Sequence, residues 1–249
     1  KDASEERDVK RRDELMNGLR NLCSAYAQNG DVLKSVAMAL ADEVMIAGEE
    51  RAVARRDDLL AELRAVECSQ NGNSAVTIQL LRALVNMLNY LAAEKNYAVR
   101  DEVLFEIQRL AYKKAHVAAI RELLSMAIVN AIDQTADEGD LARCDKLLSE
   151  LRHLTDYFQT DGRLGFALSR GLAKRLYMQV DAGDWQECRK LLSELQSIAL
   201  EFKDEVDIVE LYSQVLRRVM YSIGDDIDLV LVETVYREIR RLSAAYPEN

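Results

Sequence analysis

Apolar residues recur along the chain at steps of four, separated by polar positions. Leu164, Leu168, Leu172 and Leu176 make one such row, and others match it: Val32, Val36, Leu40 and Val44; Val76, Leu80, Leu84 and Leu88; Ile120, Leu124, Ile128 and Ile132; Ile208, Tyr212, Leu216 and Met220. Positions i, i+4, i+8 and i+12 share one face of an α-helix, so each row predicts an amphipathic helix, here called an A helix. Beside the row lies a small residue, Ala39, Ala83, Ala127 or Gly171, relaxed to Val215 in the last copy, which lets a neighbouring helix approach closely. Between the rows runs a second pattern. Leu141, Cys144, Leu147, Leu148, Leu151, Leu154 and Phe158 predict a B helix that buries them all, and Trp185, Cys188, Leu191, Leu192, Leu195, Ile198 and Phe202 repeat it.

These patterns are copies at a fixed distance. The stretch DEGDLARCDKLLSELRHLTDYF, Asp137 to Phe158, returns 44 residues on as DAGDWQECRKLLSELQSIALEF, Asp181 to Phe202. Steps of 44 from LLSEL at Leu147 reach LLSEL at Leu191, VYREI at Val235, VLFEI at Val103, LLAEL at Leu59 and LMNGL at Leu15, with no insertion or deletion. A constant period between 20 and 50 residues marks a repeat array, in which each unit buries its apolar face against its neighbours. The expected organisation is one domain over residues 1–249: helix B of a first repeat in 1–31, from about Val9 to Ala27, then A–B pairs in 32–75, 76–119, 120–163, 164–207 and 208–249. That makes eleven helices, an all-α solenoid of antiparallel hairpins.

Turns fall where the period requires them. In Glu138-Gly139-Asp140 and Ala182-Gly183-Asp184, glycine accepts the left-handed conformation that ends one helix and aspartate caps the next. Polar segments such as Gln159-Thr160-Asp161-Gly162 and Ser69-Gln70-Asn71-Gly72-Asn73-Ser74 separate the units, and Tyr246-Pro247-Glu248-Asn249 fills the same slot. The chain begins partway through a repeat and neither end carries an evident polar cap. These features suggest a domain from a longer protein, or ends that stack.

Composition narrows the function. One Pro and ten Gly leave helix breakers scarce, in keeping with an all-helical chain. A net charge of −10 and pI near 4.9 argue against nucleic acid or an anionic membrane as the main partner, since both demand a basic surface. Apolar runs look too interrupted to span a bilayer, and no signal peptide is read. Cys23, Cys68, Cys144 and Cys188 show no metal-binding spacing and are too few for a disulfide framework. A reducing, cytoplasmic compartment is expected, with Cys144 and Cys188 as small buried residues.

Gly183-Asp184-Trp185, followed by small Cys188, bulky Leu192 and core Leu195, resembles the second half of a tetratricopeptide repeat. Gly139-Asp140-Leu141 with Cys144, Leu148 and Leu151 resembles it similarly, and Asp228-Leu229 resembles it more weakly. The period here is longer than the family's, about 34 residues, and units of the HEAT type also run to about 40–47. The resemblance implies a right-handed α-solenoid that acts as a protein-binding scaffold through a concave groove lined by A helices.

Enzyme signatures are lacking: no phosphate loop, no HExxH and no GxSxG occurs. His116 and His153 are the only histidines, and His153 occupies a position held elsewhere by Ala65, Arg109, Ser197 and Arg241, as a solvated position does. No catalytic residue, metal ligand or cofactor is expected. Glu62, Glu106, Glu150, Glu194 and Glu238 recur at the period and read as helix-supporting i, i+3 pairs, Glu106 with Arg109 and Glu238 with Arg241.

The polar face of the A helices carries the candidate site. Two positions one turn apart read Met38 and Asp42, Arg82 and Asn86, Met126 and Asn130, Arg170 and Lys174, Gln214 and Arg218, acid-free from the second A helix onward. Asn89, Tyr90, Tyr177 and Tyr221 lie near it. Arg and Lys bind carboxylates and Asn can hold an extended backbone, so Arg82, Asn86, Asn89, Asn130, Arg170, Lys174, Tyr177, Arg218 and Tyr221 form a candidate groove. Their order resembles the carboxylate clamp by which some tetratricopeptide domains hold a peptide's C-terminus. The expected partner is a protein or peptide segment, acidic or C-terminal. The alternatives are a solvated helix face, or a self-assembly module that stacks or dimerises into a homo-oligomer through its ends.

Overall fold

The computed structural model describes residues 3–26, 28–69, 72–222 and 229–245, with side chains from Lys10 onward except those at 229, 243 and 245. They form eleven helices: α1 (Ala3–Ala25), α2 (Gly30–Glu49), α3 (Val53–Ser69), α4 (Ser74–Ala93), α5 (Tyr97–Tyr112), α6 (Ala118–Asp137), α7 (Leu141–Tyr157), α8 (Gly162–Ala182), α9 (Trp185–Glu201), α10 (Val206–Ser222) and α11 (Leu229–Ala245). No strand occurs among the described residues. The even-numbered helices are the A helices and the odd-numbered ones the B helices. Gln70, Asn71, Asp228 and Tyr246 to Asn249 lie outside the described residues.

The chain divides into two compact units, Lys1–Ala127 and Ile128–Asn249, with the division inside α6. In the N-terminal unit α2 packs on α3 and α4 on α5, each A helix on its own B helix, while α2 also packs on α4. The C-terminal unit repeats the plan, α8 on α9, α10 on α11 and α8 on α10, with α7 against α8. Within each unit, A helices that pack on their own B helices and on the next A helix give the packing of a helical repeat.

The A-helix rows are the core. All of their residues are buried except Val32 and Met220, which are half-buried. Full burial of each Leu or Ile contributes about 2 kcal/mol, so each row holds its hairpin firmly. Gly171 allows a close approach: a Cβ there would lie 2.9 Å from Leu148 and 3.0 Å from Ile132. Four B-helix expectations fail, all at helix ends: Leu141 is exposed and Trp185 half-buried at the first residues of α7 and α9, and Phe158 and Phe202 are half-buried at their C-caps.

Helix α4 also overturns an expectation. Ser74–Ala93 is long and apolar enough to cross a membrane, but 61 % of its apolar window is buried inside the protein. Its apolar residues form the core against α2 and α5.

The A-to-B turns share one geometry but not one sequence. Gly139 and Gly183 have φ of 75° and 73°, and Asp140 and Asp184 cap the following helices by accepting from the Arg143 and Glu187 amides. One and two periods earlier, Arg51 and Lys95 hold the same left-handed conformation, at φ of 56° and 57°. The paired backbone bonds are also the same. Lys95 N donates to Ala92 O and Asn96 N to Leu91 O, as Gly183 N donates to Val180 O and Asp184 N to Gln179 O. A left-handed residue with a side chain costs about 1–2 kcal/mol, so packing of the flanking helices enforces the turn in the N-terminal unit. The inter-repeat segments cap the A helices: Asn29, Asn73 and Asp161 accept from the first amides of α2, α4 and α8.

Candidate interaction surfaces of the A and B helices

In the C-terminal unit, Arg170 and Lys174 lie one turn apart on α8 and reach toward α6. Arg170 Nη2 stands 3.4 Å from Asp133 Oδ2, and Lys174 Nζ donates to Asp137 Oδ1 at 2.9 Å. Burial lifts the Asp133 carboxyl above its usual range, against the opposing pull of Arg170 and Lys174. On α10, the Arg218 guanidinium lies over the Tyr177 ring at 4.2 Å, and Tyr221, one turn on, is 89 % exposed. Burial raises the Tyr177 phenol pKa. Asn130 is half-buried on α6.

In the N-terminal unit, Arg82 donates to Gln79 Oε1 at 2.7 Å and stands 3.7 Å from Asp42. Asn86 is half-buried and Asn89 exposed. Tyr90 is not available to a ligand: its ring covers Gly48 and its hydroxyl donates to Met45 O at 3.1 Å.

The stripe is therefore less basic than its own positions suggest. Cations on one A helix meet the preceding A helix diagonally, one or two turns further along, where Asp42, Asp133 and Asp137 stand. These half-exposed pairs contribute about 0–1 kcal/mol each and leave the guanidinium faces open to solvent.

The B helices carry a second ladder that period-reading missed. Arg20 donates to both oxygens of Glu62, Arg64 to those of Glu106 and Arg152 to those of Glu194, at 2.7–3.1 Å. Each partner lies 42 residues on, in the next B helix. The recurring glutamate is thus chiefly an inter-repeat clamp, and the i, i+3 pairing holds for Glu238 and Arg241, at 2.9 Å. The signal was present in the sequence as Arg20, Arg64 and Arg152, themselves spaced by multiples of 44.

Above two of these clamps lie clefts of about 410 and 380 Å³. The first is lined by Asp13, Met16, Arg20, Arg55, Asp58, Leu59 and Glu62. The second includes Asp57, Leu60, Arg64, Val99, Glu102, Val103 and Glu106, each one period further on. A cleft recurring with the repeat, its charges paired across it, reads as part of the unit's construction.

Among the described residues, three arginines are buried. Arg56 and Arg100, in B helices α3 and α5, are 2 % and 1 % exposed. Arg56 donates to Glu94 Oε1 at 2.7 Å and to Asp57 at 3.2 Å, and Arg100 donates to Asp101 at 3.0 Å. The same position in α7 and α9 is Cys144 and Cys188. Burial pushes both thiols up to about 11, so they stay protonated and unreactive at neutral pH. Here the buried guanidinium comes from A helix α8 instead, as Arg175, which donates to Asp145 at 2.7 Å.

A further polar group lies around Thr77. Lys114 Nζ donates to Thr77 Oγ1 at 2.6 Å, and Thr77 Oγ1 to Glu67 at 3.1 Å, with Thr77 buried. Lysine, hydroxyl and carboxylate satisfy one another. The matching positions two periods on are Phe202 and Gly165, where a Cβ on the glycine would meet the ring at 2.7 Å. His116 and His153 are both exposed. No group of three or more His, Cys, Asp and Glu is placed to hold a metal ion among the described residues.

No protein-family model, no curated protein and no solved structure matches the chain. The class that the fold defines is an all-α protein of eleven helices packed as a helical repeat.

Proposed function

We propose that this chain is a non-enzymatic protein-interaction module, a tetratricopeptide-like α-solenoid that holds a peptide or protein segment along its A helices. The observation that carries this reading is the Arg218–Tyr177 stack beside Tyr221, a flat aromatic residue 89 % exposed on a helix whose opposite face is core. Tyrosine supplies a large, rigid contact area, and tyrosine and arginine are both enriched among the residues that dominate interface energies. Arg170 and Lys174 lie beside them, held in place by Asp133 and Asp137, so a ligand carboxylate meets cations already positioned. Arg82, Asn86 and Asn89 offer the corresponding face in the N-terminal unit. The preferred ligand is an acidic or C-terminal segment, the chemistry that bidentate guanidinium groups recognise.

The test uses an array of immobilised peptides with acidic C-termini, each with a free or an amidated end. Wild-type protein should retain a subset, lose it when the end is amidated, and bind less at raised salt. Arg170→Gln with Lys174→Gln should abolish retention while the unfolding midpoint stays close to wild type. Glutamine is the proper replacement, because glutamate would face Asp133 and Asp137 and destabilise the fold for an unrelated reason. Equal retention by the variant would refute the A-face site.

A further inference from the structure

Residues that recur at the period serve the unit, and a departure from the period marks what one repeat does alone. Helix α5 departs on its outer face. Phe105 is 67 % exposed there, where Ala61, Ser149, Ser193 and Arg237 stand in α3, α7, α9 and α11. Tyr112, at i+7 and so on the same face, is 48 % exposed. Val99, 37 % exposed at the second cleft, stands where α3, α7 and α9 have Arg55, Arg143 and Glu187. Single exposed apolar residues are ordinary, but three on one helix, two of them aromatic, form a patch.

The charges around the Phe105 ring define what fits over it. Four acids line the second cleft, Asp57, Glu94, Glu102 and Glu106, and three are committed: Asp57 and Glu94 receive Arg56, and Glu106 receives Arg64. Glu102, one turn before Phe105, is exposed and has no partner among the described residues. Its equivalents in α7 and α9 are Lys146 and Lys190, so this acid too belongs to its own repeat. Between Lys95 and Arg109 the one cation is Arg100, which is buried and donates to Asp101. Arg109, one turn past Phe105, is exposed and likewise has no partner among the described residues.

Glu102, Phe105 and Arg109 lie at i, i+3 and i+7 and so make one row of acid, aromatic ring and cation along α5. The opposite face of α5 is fixed: Val103, Leu104, Ile107 and Ala111 are buried, and the helix packs on α4. The row is therefore presented on a rigid element, with no ordering of the site left to binding. Its groups stand one helical turn apart, a spacing of about 5–6 Å that a second helix reproduces on one of its own faces.

We propose that the Glu102–Phe105–Arg109 row of α5, flanked by Val99 and Tyr112, is a docking site for an amphipathic helix of a partner protein that presents a lysine or arginine, a large apolar residue and an acid on one face, one turn apart. The apolar residue covers the Phe105 ring, the cation meets Glu102 and the acid meets Arg109. The aromatic anchor supplies contact area, and the two charges of opposite sign set the direction in which the helix lies. The site uses none of the A-face residues of the peptide-binding reading, so the two stand or fall separately.

The probe is a phage library displaying an alanine-based helix with one face randomised, panned against the whole chain. Enriched helices should carry Lys or Arg, an apolar residue and Asp or Glu one turn apart. As synthetic peptides followed by fluorescence anisotropy, they should bind Phe105→Ser at least tenfold more weakly than wild type, and Glu102→Lys severalfold more weakly. Panning against Glu102→Lys should enrich helices with an acid where the cation stood. Both replaced side chains are exposed, so the unfolding midpoints of the variants should match that of wild type. No enrichment, or helices that bind Phe105→Ser as tightly as wild type, overturns the proposal. A charge pattern that Glu102→Lys leaves unchanged overturns it as well. So does a mass of the protein alone that rises with concentration and falls in Phe105→Ser, since a second copy would then cover the face.

Discussion

The two units run the same backbone on different chemistry. In the N-terminal unit the left-handed turn residues are Arg51 and Lys95, the buried B-helix position holds Arg56 and Arg100, and Lys114 covers Thr77. In the C-terminal unit the turns are Gly139 and Gly183, the buried position holds Cys144 and Cys188, and Phe202 covers Gly165. One pairing recurs in three successive B helices: Asp57, Asp101 and Asp145, equivalent residues, each receive a buried guanidinium, whereas α9 has Arg189 at that position. In the first two it comes from the preceding residue of the same helix, in the third from Arg175 of the next A helix. The comparison teaches that a repeat conserves a spatial requirement, and that the chain position satisfying it can move.

The largest effect expected tests that exchange. Arg56→Cys should cost about 3 kcal/mol, because it strips the buried partner from Glu94 and Asp57. Met87→Arg, which places a guanidinium where Arg175 stands in the other unit, should cost a similar amount alone, since Met87 lines the same cleft as Arg56. Combined, the two should lose at least about 1 kcal/mol less than their sum, measured by denaturant unfolding as a double-mutant cycle. Strict additivity would mean that the two arrangements are unrelated solutions.

Gly165→Ala should destabilise by about 2 kcal/mol, since the new Cβ would press on the Phe202 ring. Adding Phe202→Leu should recover part of that loss. A neutral Gly165→Ala would show that the ring yields freely and that the Phe202–Gly165 packing is loose. The smallest effect concerns the turns. Lys95→Gly should stabilise by about 1 kcal/mol and Gly183→Lys should destabilise by as much, read from thermal midpoints. If Lys95→Gly is instead destabilising, the lysine stem contributes packing that outweighs its backbone strain.

Much of the architecture was legible in the chain. The period, the A-helix rows from Val36 to Leu216, the number of helices and the glycine turns follow from local sequence, because helix geometry ties i to i+4 and a repeat multiplies the signal. The turn motif was visible only at Gly139 and Gly183, since Arg51 and Lys95 bear no mark of the left-handed conformation that packing imposes on them. The candidate groove was legible as a set of helix faces. Its electrostatics were not.

What the sequence alone determined is therefore the helices, their buried faces and their recurrence. The tertiary structure decided which side chains meet. Arg20 finds Glu62 at a separation of 42, Arg56 finds Glu94 at 38 and Lys174 finds Asp137 at 37, none of them the period itself. Those offsets come from the tilt and stagger of one helix against the next, set by how ridges of side chains interlock, and no spacing along a single helix encodes them.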